Sequence, residues 1–194
     1  MPVLRLGPAQ VATADLTGAD SASGVRSGAM DVSAFRHQAS ITINRSPDEV
    51  YDVVSDITRM GELSPVCVGG EWDDPTAART KGARFVGHNA IGDFTWQTYC
   101  TVVTAEPGRE FAFVNRGQHD GEVPLVRWGF VLEPDGDGTR VTETWEVLPG
   151  YPVYLRDEQA LGDDELMARI EGMGQLARDG IPATLANLKR VVEG

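Results

Sequence analysis

Cysteine and histidine are scarce in this chain of 194 residues, which has two cysteines and three histidines. We expect Cys67 and Cys100 to be small buried hydrophobic residues, because two cysteines form neither a disulfide framework nor a thiolate metal site. The histidines are scattered along the chain, and no Ser–His–Asp grouping, phosphate-binding loop or dinucleotide fingerprint is present. The sequence therefore predicts neither a metal centre nor a cofactor.

Basic residues are also few, and long apolar runs are missing. Seventeen Lys and Arg oppose 29 Asp and Glu, which gives a formal net charge of −12. An acidic surface repels phosphate backbones and anionic lipids, so nucleic acid and membrane partners are disfavoured. No apolar run approaches the ~20 residues that span a bilayer, and no secretory signal precedes the first pattern. We therefore expect a cytoplasmic protein.

The first 34 residues show no sustained periodicity and are rich in Gly, Ala, Ser and Asp. This composition predicts a disordered leader over residues 1–34 and one ligand-binding domain over residues 35–194. Met30 lies just before the first patterned segment, so the sequence leaves open whether the chain starts at Met1 or at Met30.

A long helix is predicted over residues 163–194, where apolar residues recur at steps of three or four. Pro182 interrupts the pattern without changing its phase, which favours one bent helix over two. A helix of this kind needs a wide apolar surface as its partner. The apolar stripe consists of Leu166, Ile170, Met173, Ala177, Ile181, Leu185, Leu188 and Val192.

The segments before this helix alternate between strand signals and short turns. Residues 37–44 form the first strand, and Ser46, Pro47 and Glu49 then mark a helix start by their spacing. A second short helix covers residues 58–63, and six further strands follow without a crossover helix. The predicted sheet is therefore antiparallel.

Several blocks of the sequence resemble actinobacterial proteins of the polyketide cyclase/dehydrase type, within the SRPBCC superfamily of START-like and pollen-allergen-like domains. The resemblance covers about residues 36–193. The blocks are residues 54–62 (VSDITRMGE), 64–65 (SP), 82–85 (GARF) with Gly87 and Asn89, 107–113 (PGREFAF) and 138–143 (GTRVTE).

This resemblance implies an α+β helix-grip fold. A curved seven-stranded antiparallel sheet would wrap around the long C-terminal helix, with two short helices after the first strand and an apolar cavity between sheet and helix. The chain departs from the family pattern at Leu63, where the family more often has Trp, and in the loop over residues 149–164. We expect both to lie at the mouth of the cavity.

Strand parity selects the side chains that face this cavity. In the last strand Glu143 shares a face with Val141, Trp145 and Val147, and Asn89 and Thr98 are the other polar residues on inward faces. Mostly apolar walls with few polar groups are typical of a small-molecule pocket. The predicted ligand-binding residues are Phe85, Trp96, Thr98, Phe113, Trp128, Trp145 and Met173, with Glu143 and Asn89 as candidate catalytic groups.

Glu143 also has structural interpretations. A carboxylate on a buried face is paired, protonated or functional. Glu143 forms a structural ion pair with an arginine at the core edge, or contacts a ligand, or faces solvent if the parity is shifted by one residue. The two tryptophans, similarly, are core residues or a platform for a ligand.

The leading functional hypothesis is a domain that binds a polyketide-like, aromatic or lipid-like small molecule, as a monomer or homodimer. The competing hypothesis is a polyketide cyclase, aromatase or dehydratase in which Glu143 and Asn89 move protons at an aldol or dehydration step. A third is an accessory protein whose acidic surface binds a basic partner.

Overall fold

The computed structural model describes residues 30–194, apart from the side chains of Glu158 and Gln159. Three α-helices and a sheet precede one long C-terminal helix. The helices are α1 (Pro47–Val54), α2 (Met60–Leu63), α3 (Gly150–Gln159) and α4 (Asp163–Glu193), with 3₁₀ turns at Ile57–Arg59 and Pro75–Ala77. The strands are β1 (Arg36–Ile43), β2 (Cys67–Trp72), β3 (Arg84–Ile91), β4 (Phe94–Glu106), β5 (Glu110–Asn115), β6 (Val126–Asp135) and β7 (Gly138–Val147).

The seven strands form one antiparallel sheet in the order β1-β7-β6-β5-β4-β3-β2. Short turns join β3 to β4, β4 to β5 and β6 to β7, while the longer segment 116–125 joins β5 to β6. Strand β1 pairs with β7, the last strand of the chain. Two short helices follow β1, and α4 packs on the inner face of the sheet. The predicted α+β helix-grip fold is therefore confirmed.

The apolar stripe of α4 is its buried face. Six of its eight side chains are buried, and Met173 and Val192 pack against the core while partly exposed. The helix continues through Pro182, as the unbroken phase of the stripe predicts. Because burying a large apolar side chain stabilises the fold by roughly 1.5–3 kcal/mol, this face is a main contributor to stability.

The start of α1 follows the predicted capping pattern. Ser46 Oγ accepts a hydrogen bond from the backbone N–H of Glu49, and the Glu49 carboxylate accepts one from the backbone N–H of Ser46. This reciprocal pair satisfies N–H groups that have no partner in the first turn of a helix. The cap directs Val50 and Val54 into the core, where both are fully buried.

The structure differs from three sequence-based expectations, which concern the leader, Leu63 and the loop over residues 149–164. Residues 1–29 of the leader that was predicted over residues 1–34 lie outside the described residues, whereas Val32 is only 4% exposed and belongs to the core. The packed part of the chain therefore begins before residue 35. Leu63 is fully buried and does not line the cavity, so its expected position at the mouth is wrong.

The third difference is helix α3, in a segment for which only a loop was expected. Pro152 lies in its first turn, where a missing N–H costs no hydrogen bond. Tyr151 and Leu155 are buried one turn apart, and Ala160 ends the helix in the left-handed conformation. The helix is therefore held by packing against the body rather than by a strong amphipathic pattern of its own.

Candidate functional site

A cavity of about 410 Å³ lies between the inner face of the sheet and helices α3 and α4. All nine residues that the sequence predicts for the site line this cavity. They are Phe85, Asn89, Trp96, Thr98, Phe113, Trp128, Glu143, Trp145 and Met173. Their side chains come from five strands and one helix, so tertiary structure brings them together.

Aromatic rings form most of the cavity wall. Trp128 and Trp145 pair across β6 and β7 with ring centroids 6.5 Å apart in an edge-to-face arrangement. Phe85 and Phe113 form a second such contact at 5.1 Å, and Phe94 stacks on Trp96 at 5.4 Å. Since these rings contact one another and also line the cavity, they are both packed side chains and part of the cavity wall.

Glu143 points into the cavity, as strand parity predicts, and it is 4% exposed. It lies opposite Phe130 on β6 and Ala39 on β1. Within the described part of the chain, no cation forms an ion pair with it, and its Oε2 has no hydrogen-bond partner. The interpretation of Glu143 as half of a structural ion pair therefore finds no partner among residues 30–194.

Burial raises the pKa of the Glu143 carboxyl well above its ordinary value of 4.5, and no neighbouring charge lowers it. The protonated carboxyl can donate one hydrogen bond through its O–H and accept others. An uncharged acid in a buried position is also suited to protonate a reacting oxygen.

Asn89 and Thr98, on neighbouring strands, form a second polar group in the cavity wall. The Asn89 side-chain amide donates to Thr98 Oγ1 at 3.3 Å and to the Gly87 carbonyl oxygen at 3.4 Å. Gly87 leaves space for this pair, because a Cβ there would lie 3.1 Å from Thr98 Oγ1. Unlike Glu143, these groups are already partly satisfied within the protein.

The pairing of the strands separates Glu143 from Asn89. One row of paired residues crosses the sheet from β3 to β7 through Phe85, Cys100, Asn115, Val126 and Val147. Asn89 lies four residues after Phe85, and Glu143 lies four residues before Val147. Because β3 and β7 run in the same direction, the two residues lie on opposite sides of this row.

Three strands also intervene between them. Four residues of strand correspond to about 13 Å on either side of the row, and each strand adds about 4.8 Å across the sheet. Proton transfer requires a reacting atom within roughly 3 Å of the group that exchanges the proton. Even though the sheet is curved, no single atom lies that close to both Glu143 and Asn89. The structure therefore does not bring Glu143 and Asn89 together as one proton relay.

The cavity has a closed end and an open end. Glu143, Phe130 and Ala177 are all buried and line the closed end. The open end carries exposed apolar side chains that also line the cavity, with Phe94 56% and Leu176 50% exposed.

The open rim is continuous from the helix to the β3–β4 hairpin. A Cβ on Gly180 of α4 would lie 3.8 Å from Pro65, in the segment before β2. The backbone N–H of Ala90 donates to the Val66 carbonyl oxygen, which ties that segment to the end of β3. Asn89 is therefore on the rim side of the cavity and Glu143 at its base.

Sequence reasoning missed the contribution of α3 to the site. Tyr151, Tyr154 and Leu155 line the cavity, and the Tyr151 hydroxyl donates to the sulfur of Met173 on α4. Burial raises the pKa of Tyr151 to about 12, so this hydroxyl stays protonated. Tyr151, Tyr154 and Leu155 are spaced at positions i, i+3 and i+4, and this spacing is the signal in the sequence that indicates a helix.

Both cysteines also line the cavity wall. Cys100 is buried and Cys67 partly buried, and burial raises the pKa of Cys100 to about 12 and that of Cys67 in the same direction. A thiol must ionise to act as a nucleophile, so both remain in the unreactive form at neutral pH.

Among the side chains that the structure describes, no three of His, Cys, Asp or Glu lie close enough together to hold a metal ion. None of the described helices is both long and apolar enough to cross a bilayer.

Comparison with solved structures places the fold among known proteins. A polyketide cyclase-like protein of Corynebacterium glutamicum is 36% identical, with 82% of this chain and 91% of that chain covered and a TM-score of 0.58. The protein Ms6760 of Mycobacterium smegmatis is 12% identical and covers 84% and 94%, with a TM-score of 0.56. At this identity, the second similarity concerns the fold alone.

A di-domain ARO/CYC protein, StfQ of the steffimycin biosynthetic pathway, is 12% identical with a TM-score of 0.57. The alignment covers 82% of this chain and 50% of StfQ, so this chain corresponds to about half of that protein.

No protein with a curated description matches the chain. The sequence pattern of the family described as "Polyketide cyclase / dehydrase and lipid transport" matches residues 34–193. The chain therefore belongs to the polyketide cyclase/dehydrase and lipid transport family.

Proposed function

We propose that this protein binds a hydrophobic small molecule, of polyketide-like, aromatic or lipid-like character, in the cavity between the sheet and α4. The observation that carries the proposal is the cavity itself. It has a volume of about 410 Å³ and aromatic rings in its wall, and its polar lining residues include Glu143 and the Asn89–Thr98 pair. Ligand pockets of soluble proteins have this size and composition. The family and its ARO/CYC fold relatives support a polyketide-related role.

The direct test combines native mass spectrometry of the purified protein with binding of N-phenyl-1-naphthylamine, an uncharged fluorescent probe. Met173→Trp should fill the cavity and abolish probe binding, because Met173 lines it from α4. Gln175→Trp is the matched control, since Gln175 is exposed on the same helix. Equal probe binding by both variants would place the probe outside the cavity and refute the proposal.

The second candidate is a cyclase or dehydratase, and the buried carboxyl of Glu143 favours it. In an aldol step, protonated Glu143 would donate its proton to the carbonyl oxygen that is attacked. The resulting carboxylate would accept the proton of the attacking enol as the new carbon–carbon bond forms, which restores the acid. Asn89 lies too far away to take part at the same centre, so this mechanism depends on Glu143 alone.

The two candidates differ in their response to Glu143→Gln. An amide keeps the shape of the side chain but cannot exchange a proton. If Glu143 is catalytic, this variant abolishes cyclisation of a linear poly-β-ketone and retains affinity for an unreactive aromatic analogue. Cyclisation is measured by the absorbance of the aromatic product. If wild-type protein does not accelerate cyclisation above the rate of the uncatalysed reaction, the enzyme hypothesis is excluded and the binding hypothesis remains.

A further inference from the structure

The base of the cavity contains a polar group that the protein leaves unsatisfied. Glu143 Oε2 is buried and has no hydrogen-bond partner among residues 30–194. A buried polar group without a partner destabilises the fold, so most such groups in native proteins are paired. Glu143 lines the cavity, so a ligand that occupies the cavity can supply the missing partner.

The surroundings of Glu143 restrict the chemistry of that partner. A carboxyl group with no cation beside it offers an O–H donor and acceptor oxygens. A hydroxyl or carbonyl group satisfies it without transferring a charge into the apolar base. An ammonium group would have to lose its hydration and ionise Glu143, and a carboxylate would bring a negative charge to a site without a compensating cation.

The charged lining residue lies at the other end. Arg169 on α4 lines the cavity and is exposed, so the positive charge of the lining lies in an exposed part of the cavity and not beside the buried Glu143. The exposed apolar rim formed by Phe94 and Leu176 is suited to the apolar part of a ligand that extends outwards. The cavity thus has a different chemistry at each end.

We propose that the ligand is an uncharged compound bearing a hydroxyl or carbonyl group on an aromatic or alicyclic body, and that it enters with this group first and binds it to Glu143. This inference rests on the proposed function, since it specifies the ligand class and orientation in the same cavity. The ring system lies against Trp128 and Trp145, and the remainder of the molecule extends past Asn89 to the rim.

A matched set of naphthalene probes tests the proposal by titration calorimetry at pH 7. The set comprises naphthalene, 2-naphthol, 2-naphthoate and 2-naphthylmethylammonium, which share one ring system and differ in their polar group. We expect 2-naphthol to bind wild-type protein about 5- to 10-fold more tightly than naphthalene, as one added hydrogen bond allows. The two charged probes should bind more weakly than 2-naphthol.

Variants at the two ends of the cavity test the orientation. Glu143→Met removes the hydrogen bond and should abolish the preference for 2-naphthol, while Thr98→Val, near the rim, should leave the preference unchanged. If Glu143→Met fails to fold, Glu143→Leu supplies the test, because it also lacks a hydrogen-bonding group and should likewise abolish the preference. Loss of the preference in Thr98→Val alone would mean that the ligand binds in the opposite direction.

The remaining outcomes overturn the inference in distinguishable ways. Tightest binding of the ammonium probe would identify a cation site, and tightest binding of 2-naphthoate in both wild type and Glu143→Met would place the head group at the rim. Equal affinities for all four probes would refute the inference while the proposed function stands. Binding of neither these probes nor N-phenyl-1-naphthylamine would refute the proposed function itself.

Discussion

Glu143 and Asn89 line the same cavity from opposite ends, four residues to either side of the row of paired residues that joins Phe85 to Val147. Three strands intervene between their two strands. Neither residue shares a hydrogen-bond partner with the other, because Asn89 bonds to Thr98 and Gly87 while Glu143 Oε2 has no partner in the described chain. Glu143 and the Asn89–Thr98 pair are therefore energetically separate.

A double-mutant cycle tests this separation. Distant residues without shared partners usually have additive effects within about 0.3–0.5 kcal/mol. We expect Glu143→Gln and Asn89→Ala to be additive in urea unfolding within that range. The positive control is Asn89→Ala with Thr98→Val, whose side chains share a hydrogen bond and should couple by about 0.5 kcal/mol or more. A coupling above about 1 kcal/mol for the first pair would contradict the register.

The apolar stripe of α4 leads to a prediction about stability. Ile170 and Leu188 are fully buried at the two halves of the helix. Ile170→Ala and Leu188→Ala should each lower the free energy of unfolding by about 2–5 kcal/mol, because each leaves a cavity in the core. Arg178→Ala, on the exposed face, should have little effect. Similar losses for all three variants in urea unfolding would show that the stripe is not the buried face.

The N-terminal boundary can be tested by two deletions. Removing residues 1–34 takes away Val32, whose burial is worth roughly 1.5 kcal/mol at about 0.8 kcal/mol per methylene. The melting temperature should fall by several degrees, since 1 kcal/mol corresponds to about 2–4 °C in a domain of this size. Removing residues 1–29 should leave it unchanged, and Val32→Ala in the full chain should reproduce most of the loss. A stable 1–34 deletion would show that Val32 is dispensable.

Local patterns in the sequence predicted most of the fold. The spacing of Ser46, Pro47 and Glu49 located the start of α1, and the alternation in β7 placed Glu143 on the inner face, because both depend on residues a few positions apart. The position of Leu63 could not be obtained in this way. Its burial depends on contacts made after the chain has folded back, and a family difference at one position does not reveal them.

The site was harder to predict than the fold for the same reason. Strand parity tells which residues face inwards, but the distance between Glu143 and Asn89 depends on the register of four successive strand pairs. Each strand pair has its own register, and the sequence of a single strand does not determine it. Helix α3 was missed because Gly150 and Pro152 suggest a loop, although Pro152 is tolerated in the first turn.

Two glycines in α4 provide a stabilising prediction. A Cβ on Gly172 would meet nothing within 4 Å, and one on Gly174 would lie in ordinary contact with Trp145 at 3.6 Å. Gly172→Ala and Gly174→Ala should each raise the free energy of unfolding by up to about 1 kcal/mol, the difference in helix propensity. Gly61→Ala in α2 is the contrasting variant, since its Cβ would collide with the Val68 carbonyl oxygen. Destabilisation by Gly174→Ala would show that α4 needs closer contact with β7 than this spacing indicates.

The buried carboxyl of Glu143 predicts a pH dependence with a definite sign. Its pKa in the folded protein is raised well above the ordinary value of 4.5 by burial. Above about pH 5, therefore, the unfolded chain has lost this proton while the native protein retains it. The unfolded state binds fewer protons, so this group lowers the free energy of unfolding as the pH rises, until the pH reaches the pKa of the folded form.

Glu143→Gln removes this penalty, because an amide does not ionise in either state. The variant should gain stability relative to wild type by up to about 1.4 kcal/mol per pH unit within that window, measured by urea unfolding at pH 5, 6, 7 and 8. Exposed Glu133→Gln is the matched control and should show no such trend. A difference between Glu143→Gln and wild type that stays constant, or reverses sign, across this range would mean that Glu143 is ionised in the native protein. The base of the cavity would then carry a negative charge, and its partner would have to be a cation.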